Sequence, residues 1–178
     1  MVVVLAVFAS AILVLLWIAR VSRAPDPIAL RSPIRTLERV GPPWAYPDPV
    51  RTPGARNPSI DDGNIGETIC NPEWTTRSVR PRTSYTNRLK KSQMRELGLP
   101  GGSADYEEDH LISLELGGSP GDPRNLWPEP YDPRPGAREK DAVERYLHKE
   151  VCDGAMTLRE AQSAIATDWY KVYSRIRE

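Results

Sequence analysis

Apolar side chains recur at helical spacing in two stretches in the middle and later parts of the chain. In residues 86–97 the apolar positions stand close to one helix face, and Gly98 follows directly as a stop signal. In residues 138–151 apolar residues follow one another at four-residue steps, with Gly154 just beyond. Both stretches therefore predict amphipathic helices.

A third helix is predicted at the C-terminal end. Thr157 and Glu160 form a capping-box pattern ahead of apolar positions that continue at helical spacing to Ile176. Between the first two helices, residues 105–130 are interrupted by glycines and prolines, so they can hold only short strands and loops. The order helix, strand–loop–strand unit, helix, helix predicts an α+β domain.

The first 19 residues are nearly all apolar and carry no charged side chain. At about 1.5 Å per residue, a helix of this length comes close to the roughly 30 Å of bilayer hydrocarbon. We therefore interpret residues 1–23 as a signal anchor or signal peptide, in which residues 1–19 contact the membrane.

Two features bear on the side of the membrane where the rest of the chain lies. Basic residues only follow the apolar run, beginning with Arg20, and the positive-inside rule then favours a cytoplasmic body. Cys70 and Cys152 favour the other side, since one disulfide between them fits a compartment outside the reducing cytosol; the alternative is two unpaired buried thiols. We give the cysteines more weight and expect an exported protein, either periplasmic or extracellular or anchored in the inner membrane.

Residues 24–58 contain nine of the 18 prolines and few aliphatic side chains. Proline removes a backbone donor and fixes φ, so this stretch is not expected to form a sheet or a long helix. We predict a Pro-rich, extended linker here and a compact domain over residues 59–178. Such a domain, of about 120 residues, is large enough for one modest core.

The equal numbers of basic and acidic side chains limit the ways in which the chain can bind nucleic acid. The chain has 24 basic and 24 acidic side chains, which excludes a positively charged coat like that of a histone. Any contact with nucleic acid must come from a local basic patch. The presence of only two cysteines also excludes a zinc ribbon or a disulfide-dense scaffold.

The candidate chemistry lies in residues 106–128. His110, one of two histidines in the chain, directly follows Asp109, and a glycine-broken loop separates this pair from Asn125. Hydrolysis of a phosphodiester needs a base, a divalent metal that offsets negative charge, and a group that holds the base in position. An Asp–His pair at the end of a short strand can supply the base and a metal ligand, while Asn125 can hydrogen-bond across the loop.

The order of these motifs resembles the HNH endonuclease family, the ββα-metal nucleases: Asp109-His110, then Gly117-Gly118, then Asn125-Leu126, then a helix bearing His148. The likeness is closest over residues 107–128 and weaker to residue 152. The wider sequence also resembles a group of small exported bacterial HNH-like proteins. The resemblance implies an α+β fold in which a ββα-metal core carries additional helices, preceded by the N-terminal apolar helix and the Pro-rich tether.

The resemblance also implies a role for each matching residue. His110 takes the place of the general base, Asp109 and His148 bind a divalent metal, Mg²⁺ or Mn²⁺, and Asn125 braces the loop. The implied activity is that of a metal-dependent endonuclease that hydrolyses phosphodiester bonds. The nucleic acid that we expect as partner is DNA rather than RNA.

The sequence does not decide which residue of the helix binds the metal. The gap of 23 residues from Asn125 to His148 is long for this pattern. Asp141 and Glu144 can share a helix face with His148, so either carboxylate is an alternative ligand.

A basic run precedes the motif. Residues 77–95 contain seven basic and no acidic side chains. Such a run is usually a solvated face, but ahead of a motif that acts on phosphates it also fits a nucleic-acid groove. The residues that we predict to contact nucleic acid are Arg80, Arg82, Arg88, Lys90 and Lys91.

Two other functions fit the same residues. One is a catalytically inactive HNH-like module that binds nucleic acid or another polyanion at the membrane, with salt-sensitive binding and no turnover. The other is a structural membrane-anchored protein in which Asp109 and His110 only hold their own loop. Cleavage of nucleic acid and uptake of metal separate the enzyme from both alternatives.

Overall fold

The computed structural model describes residues 39–178. These residues form three α-helices and a two-stranded antiparallel sheet joined by turns and short 3-10 segments, so the predicted α+β class is confirmed. The apolar segment of residues 1–19 and residues 24–38 of the predicted linker lie outside the described residues. Within residues 39–178, no helix combines the length and the apolar character that crossing a bilayer requires.

The helices lie where the apolar spacing predicts them. Helix α1 covers Thr83–Leu97 and ends at Gly98, which adopts a left-handed conformation with a φ of 61°. Helix α2 covers Ala137–Cys152. Helix α3 covers Leu158–Ile176 and begins with the predicted capping box. Local capping residues therefore set the end of α1 and the start of α3, as the sequence indicates.

A hairpin of two short strands carries the candidate residues. Strand β1 covers Tyr106–His110 and pairs antiparallel with strand β2, Leu126–Pro130, in a register that places His110 opposite Leu126. In the connecting loop, Gly118 passes so close to Ile112 that a Cβ atom would overlap the Ile112 carbonyl. Only glycine fits this close approach of two backbone segments.

The main core lies between the last two helices. Helices α2 and α3 pack on each other and on the turn Leu114–Leu116 in the hairpin loop. Trp169 of α3 is fully buried at the centre of this core. Helix α1 packs against both strands instead. The hairpin is therefore anchored by α1 through its strands and by α2 and α3 through its loop.

Residues 39–58 pack on the helices, whereas their proline content predicts an extended linker. Ala45 is buried in the core, and its carbonyl accepts a 2.6 Å hydrogen bond from Trp169 Nε1. The Tyr46 hydroxyl donates to Asp168 at 2.5 Å. The compact part of the chain thus begins well before residue 59, because these contacts with α3 outweigh the tendency of a Pro-rich stretch to stay solvated.

The structure joins Cys70 to Cys152, so the predicted pairing of the two cysteines is confirmed. The bond ties the turn region before α1 to the last residue of α2 and spans a sequence separation of 82 residues. In the chain-entropy model, closing a loop of this length stabilises the fold by roughly 4–5 kcal/mol.

Candidate functional site

The imidazole of His110 lies at the end of β1 and is only 3% exposed. Its Nε2 atom lies 2.9 Å from the carbonyl oxygen of Pro120 in the hairpin loop. A carbonyl oxygen can only accept, so Nε2 carries the hydrogen, and in the neutral ring the lone pair is on Nδ1. Among residues 39–178 the structure shows no hydrogen bond to Nδ1.

The surroundings of His110 favour its neutral form. Burial lowers the pKa of the ring, and the nearby positive charges of Arg80 and Lys140 lower it further. The Asp109 carboxylate and the Pro120 carbonyl oppose this shift without reversing it. His110 is therefore uncharged at neutral pH and is able to accept a proton.

The side-chain amide of Asn125 crosses the loop that holds Pro120. It is completely buried, and its Oδ1 accepts hydrogen bonds from the N–H of Ile112 at 2.9 Å and of Ala55 at 3.3 Å. Its Nδ2 donates to the carbonyls of Ile112 at 2.9 Å and Ser119 at 3.0 Å. Asn125 thus joins the segment after β1 to the segment before β2, the position of a loop brace.

Asp109 is paired with a lysine that is fully buried. Lys140 of α2 donates to Asp109 Oδ2 at 2.5 Å, to Glu144 Oε1 at 2.5 Å and to the carbonyl of His110 at 2.8 Å. Its Nζ also lies 4.0 Å from Glu129 Oε2. One ammonium group therefore connects the candidate dipeptide on β1 with carboxyl groups of β2 and α2.

Protons distribute unevenly over this buried cluster. Burial raises the pKa of this fully buried Glu129 well above its usual value, and the negative charge of Asp109 raises it further. Within residues 39–178 no donor bonds either oxygen of the Glu129 carboxyl group, so a protonated Glu129 can donate to Asp109. Burial also raises the pKa of Glu144 against the opposing charge of Lys140. For Asp109, burial raises the pKa but the pairing with Lys140 outweighs it and lowers the pKa. The main charged pair is therefore Lys140 and Asp109, whereas burial favours the protonated form of the two glutamates.

Two further carboxylates interact electrostatically with Asp109. Glu107 is two residues earlier on β1, and Asp141 is on the first half of α2. Burial raises the pKa of each, and the negative charge of Asp109 raises both further. Mutual repulsion of this kind is relieved by a cation, and carboxylate oxygens are the ligands that Mg²⁺ and Mn²⁺ prefer.

His148, the other predicted metal ligand, is not brought together with Asp109. Its Nε2 donates to the carbonyl of Ile69 at 2.8 Å and lies 3.4 Å from Cys152 Sγ. The physical reason is helix geometry: His148 is eight residues beyond Lys140, about 12 Å along the helix axis. Of the α2 residues, Lys140 donates a hydrogen bond to Asp109, and Asp141 and Glu144 interact with it electrostatically.

The predicted nucleic-acid residues fall into two groups. Arg80 is exposed, and its charge lowers the pKa of His110 and of Glu107, which places it beside the candidate site. Lys90 instead donates to the carbonyls of Ser103 and Tyr106, both at 2.8 Å, so its ammonium holds the start of β1. The remaining predicted residues, Arg82, Arg88 and Lys91, are exposed at or along α1.

Lys140 and Glu129 are the residues of the site that sequence reasoning missed. A signal for Lys140 exists, because it stands three residues before Val143 and therefore on the apolar stripe that predicts α2. A lysine on such a stripe has to be paired when it is buried. Glu129 gives no comparable signal, since it lies between two prolines in a short strand.

No protein-family model matches this chain, and comparisons with curated proteins and with solved structures find no match. The function is therefore inferred from the geometry of the site and from the resemblance of its motifs.

Proposed function

We propose that this protein is a metal-dependent endonuclease of the HNH type that hydrolyses nucleic-acid phosphodiester bonds, with His110 as general base. The main support is the hydrogen bond from His110 Nε2 to the Pro120 carbonyl, in a ring whose pKa is lowered by burial. This contact fixes the tautomer and leaves the Nδ1 lone pair for a water molecule. A neutral imidazole held by a backbone carbonyl is the state that a general base requires.

In the proposed reaction, His110 Nδ1 takes a proton from water as the water oxygen attacks phosphorus. The bond from phosphorus to a sugar oxygen breaks, and the departing oxygen takes up a proton from solvent. Asn125 keeps the loop in place, because it holds the segment that carries the Pro120 carbonyl. We expect Arg80, whose positive charge lowers the pKa of His110, to contact the phosphate.

A divalent cation, when bound, offsets the negative charge that develops on the phosphate. The residues that would hold it are Asp109, Asp141 and Glu107, because their charges repel one another and all three offer hard oxygen ligands. Within residues 39–178 their oxygens do not all lie within 4.8 Å of one another, so these side chains have to move closer together to bind one cation. Asp141 was one of the alternatives to His148 in the sequence. Asp109 Oδ2 accepts a hydrogen bond from Lys140, so a cation bound at this carboxylate has to compete with the ammonium group.

The proposed substrate is DNA, and RNA is the comparison substrate. The proposed place of action is outside the cytosol, with residues 1–19 as the export signal or membrane anchor. The disulfide supports this location, since structural disulfides persist in oxidising compartments.

The test is nicking of supercoiled plasmid by the full chain in mild detergent with Mg²⁺ or Mn²⁺. We expect the wild-type protein to cleave, EDTA to abolish cleavage, and His110→Ala to lower the rate by about 10² or more. Asp141→Asn should weaken activation by the metal, whereas His148→Ala should retain cleavage. Equal cleavage by wild type and His110→Ala would overturn the mechanism. Loss of cleavage in His148→Ala would mean that His148 binds the metal.

The second candidate function is a nucleic-acid or polyanion binding module without catalysis. The observation that favours it is the position of Lys140, whose ammonium already neutralises Asp109 without any metal. This function predicts DNA binding that falls with salt, that EDTA does not change, and that is never followed by cleavage. The plasmid assay with and without EDTA separates the two proposals.

A further inference from the structure

A second group of metal-binding side chains lies at the disulfide, away from the hairpin. Cys70, Cys152 and His148 each offer one ligand atom, and these atoms all lie within 4.8 Å of one another. Within residues 39–178 this is the only group of three or more His, Cys, Asp or Glu side chains that meets this distance. In the oxidised protein both sulfurs are used by the disulfide.

We propose that reduction of the Cys70–Cys152 disulfide converts this group into a binding site for a thiophilic cation such as Zn²⁺. A dithiol reductant supplies two electrons and two protons, the S–S bond breaks, and the reductant closes its own disulfide. Binding of the cation then displaces the two thiol protons to solvent and forms two metal–sulfur bonds. The same sulfurs serve either the disulfide or the metal, so the two states exclude each other.

The backbone around the three donors is fixed without the disulfide. His148 and Cys152 are one turn apart on α2, so they present their side chains on one helix face. Val151 beside Cys152 and Ile69 beside Cys70 are both buried in the core. The Cys70 N–H also donates to the carbonyl of Ile65 at 2.8 Å. Packing and hydrogen bonding thus keep the two cysteines near each other after reduction.

The distances are close to those of a tetrahedral zinc site. With Zn–S bonds of about 2.3 Å and a Zn–N bond of about 2.0–2.1 Å, neighbouring ligand atoms lie roughly 3.6–3.8 Å apart. Cys152 Sγ already lies 3.4 Å from His148 Nε2, and the Cα atoms of the two cysteines are 5.4 Å apart. Rotation of the freed thiolates away from each other is the main change needed. His148 then exchanges its hydrogen bond to the Ile69 carbonyl for the metal.

The chemistry of the donors selects the class of cation. Two thiolates and one imidazole suit Zn²⁺ and other soft or borderline ions, whereas Mg²⁺ and Ca²⁺ prefer oxygen ligands. Three protein ligands leave a fourth position for water or an external ligand. This site is therefore distinct in ligand type from the carboxylate group around Asp109.

The test uses the full chain in mild detergent, reduced with a phosphine, and Co²⁺ as a spectroscopic probe. The chain has two cysteines, so a thiolate-to-cobalt charge-transfer band reports Cys70 and Cys152 alone. We expect one Co²⁺ per reduced chain, the visible bands of tetrahedral cobalt, displacement by Zn²⁺, and no such bands with the oxidised chain. His148→Ala should weaken binding by more than about tenfold, since loss of even an outer-shell partner costs that much.

Lys149→Ala, at a neighbouring exposed position of α2, is the matched control and should bind Co²⁺ as wild type does. A second measurement is alkylation of the reduced thiols, which Zn²⁺ should slow in wild type but not in His148→Ala. The proposal is overturned if reduced chain with native near-ultraviolet circular dichroism gives no charge-transfer band, or if His148→Ala binds equally well. It is also overturned if the reduced chain loses its tertiary signal and Zn²⁺ does not restore it.

Discussion

The side-chain amide of Asn125 bonds both the N–H and the carbonyl of Ile112, each at 2.9 Å. The same amide donates to the carbonyl of Ser119, the residue before the Pro120 that accepts from His110. One buried side chain therefore fixes the loop and, through the loop, the orientation of the imidazole. Any change in Asn125 should appear in both stability and activity.

Asn125→Asp is the sharpest change at this position, because it keeps the shape and removes the two donated hydrogen bonds. The new carboxyl faces the carbonyls of Ile112 and Ser119, which are left without a donor. Each buried unsatisfied group costs about 1–3 kcal/mol, so we expect a loss of about 2–6 kcal/mol in the free energy of unfolding. Urea denaturation with the disulfide intact measures it, and Asn71→Asp, which keeps its accepted bond from the Glu73 N–H, is the control. Similar stabilities of the two variants would contradict the role of Asn125 as a brace.

Lys140→Met tests the buried ion pair with Asp109. Removing the ammonium leaves the Asp109 carboxylate buried without a counter-charge, and breaking such a pair costs about 3–5 kcal/mol. The double variant Lys140→Met/Asp109→Asn removes both charges and should recover at least half of that loss. Chemical denaturation at pH 7 measures both variants. If the double variant is no more stable than Lys140→Met, the pair is not the source of the effect.

The helices and their ends could be predicted from the sequence because they depend on local features. Gly98 ends α1 and the capping box begins α3, and each feature acts within one turn of its own helix. The glycine pair in the loop similarly indicates a close approach of two backbone segments at Gly118. It does not indicate that Ile112 is the residue approached. Local physics therefore explains the element order and the position of the hairpin.

The contacts that could not be predicted join residues far apart in sequence. Ala45 is placed in the core by Trp169, more than a hundred residues later, so composition alone made residues 39–58 look like a linker. The direction of His148 depends on where α2 meets β1, which is set by Lys140 and Asp109. Spacing along a helix restricts which residues share a face. It does not determine which turn of the helix packs against the strand.

Glu129→Gln tests the protonation of the buried carboxyl on β2. The pKa of Glu129 is raised in the folded protein above its value in the unfolded chain. Its contribution to stability is therefore complete below the unfolded pKa, about 4.3, and is lost as the pH rises toward the folded pKa. Glutamine does not titrate. The stability of Glu129→Gln relative to wild type should therefore improve by more than about 1 kcal/mol between pH 5 and pH 8. Denaturation curves at both pH values measure this difference.

Glu73→Gln, at an exposed position, is the control for that experiment and should show no such pH-dependent gain. A Glu129→Gln variant whose stability follows wild type in parallel from pH 5 to pH 8 would show that the carboxyl is ionised throughout. In that case the buried cluster would carry one more negative charge at neutral pH.

Arg80→Gln and Lys90→Met separate a nucleic-acid contact from a structural lysine. Arg80 is exposed beside His110, so Arg80→Gln should weaken DNA binding and reduce the salt dependence of the binding constant by about one unit of the log–log slope. Lys90 supplies the two hydrogen bonds that hold the start of β1, so Lys90→Met should lower the free energy of unfolding by about 1–3 kcal/mol. Its effect on the salt slope should be small. Fluorescence anisotropy of a labelled duplex over a salt series measures the salt dependence of binding, and denaturation curves measure the free energy of unfolding. If Lys90→Met is as stable as wild type but has a reduced log–log salt slope, Lys90 is instead a phosphate contact.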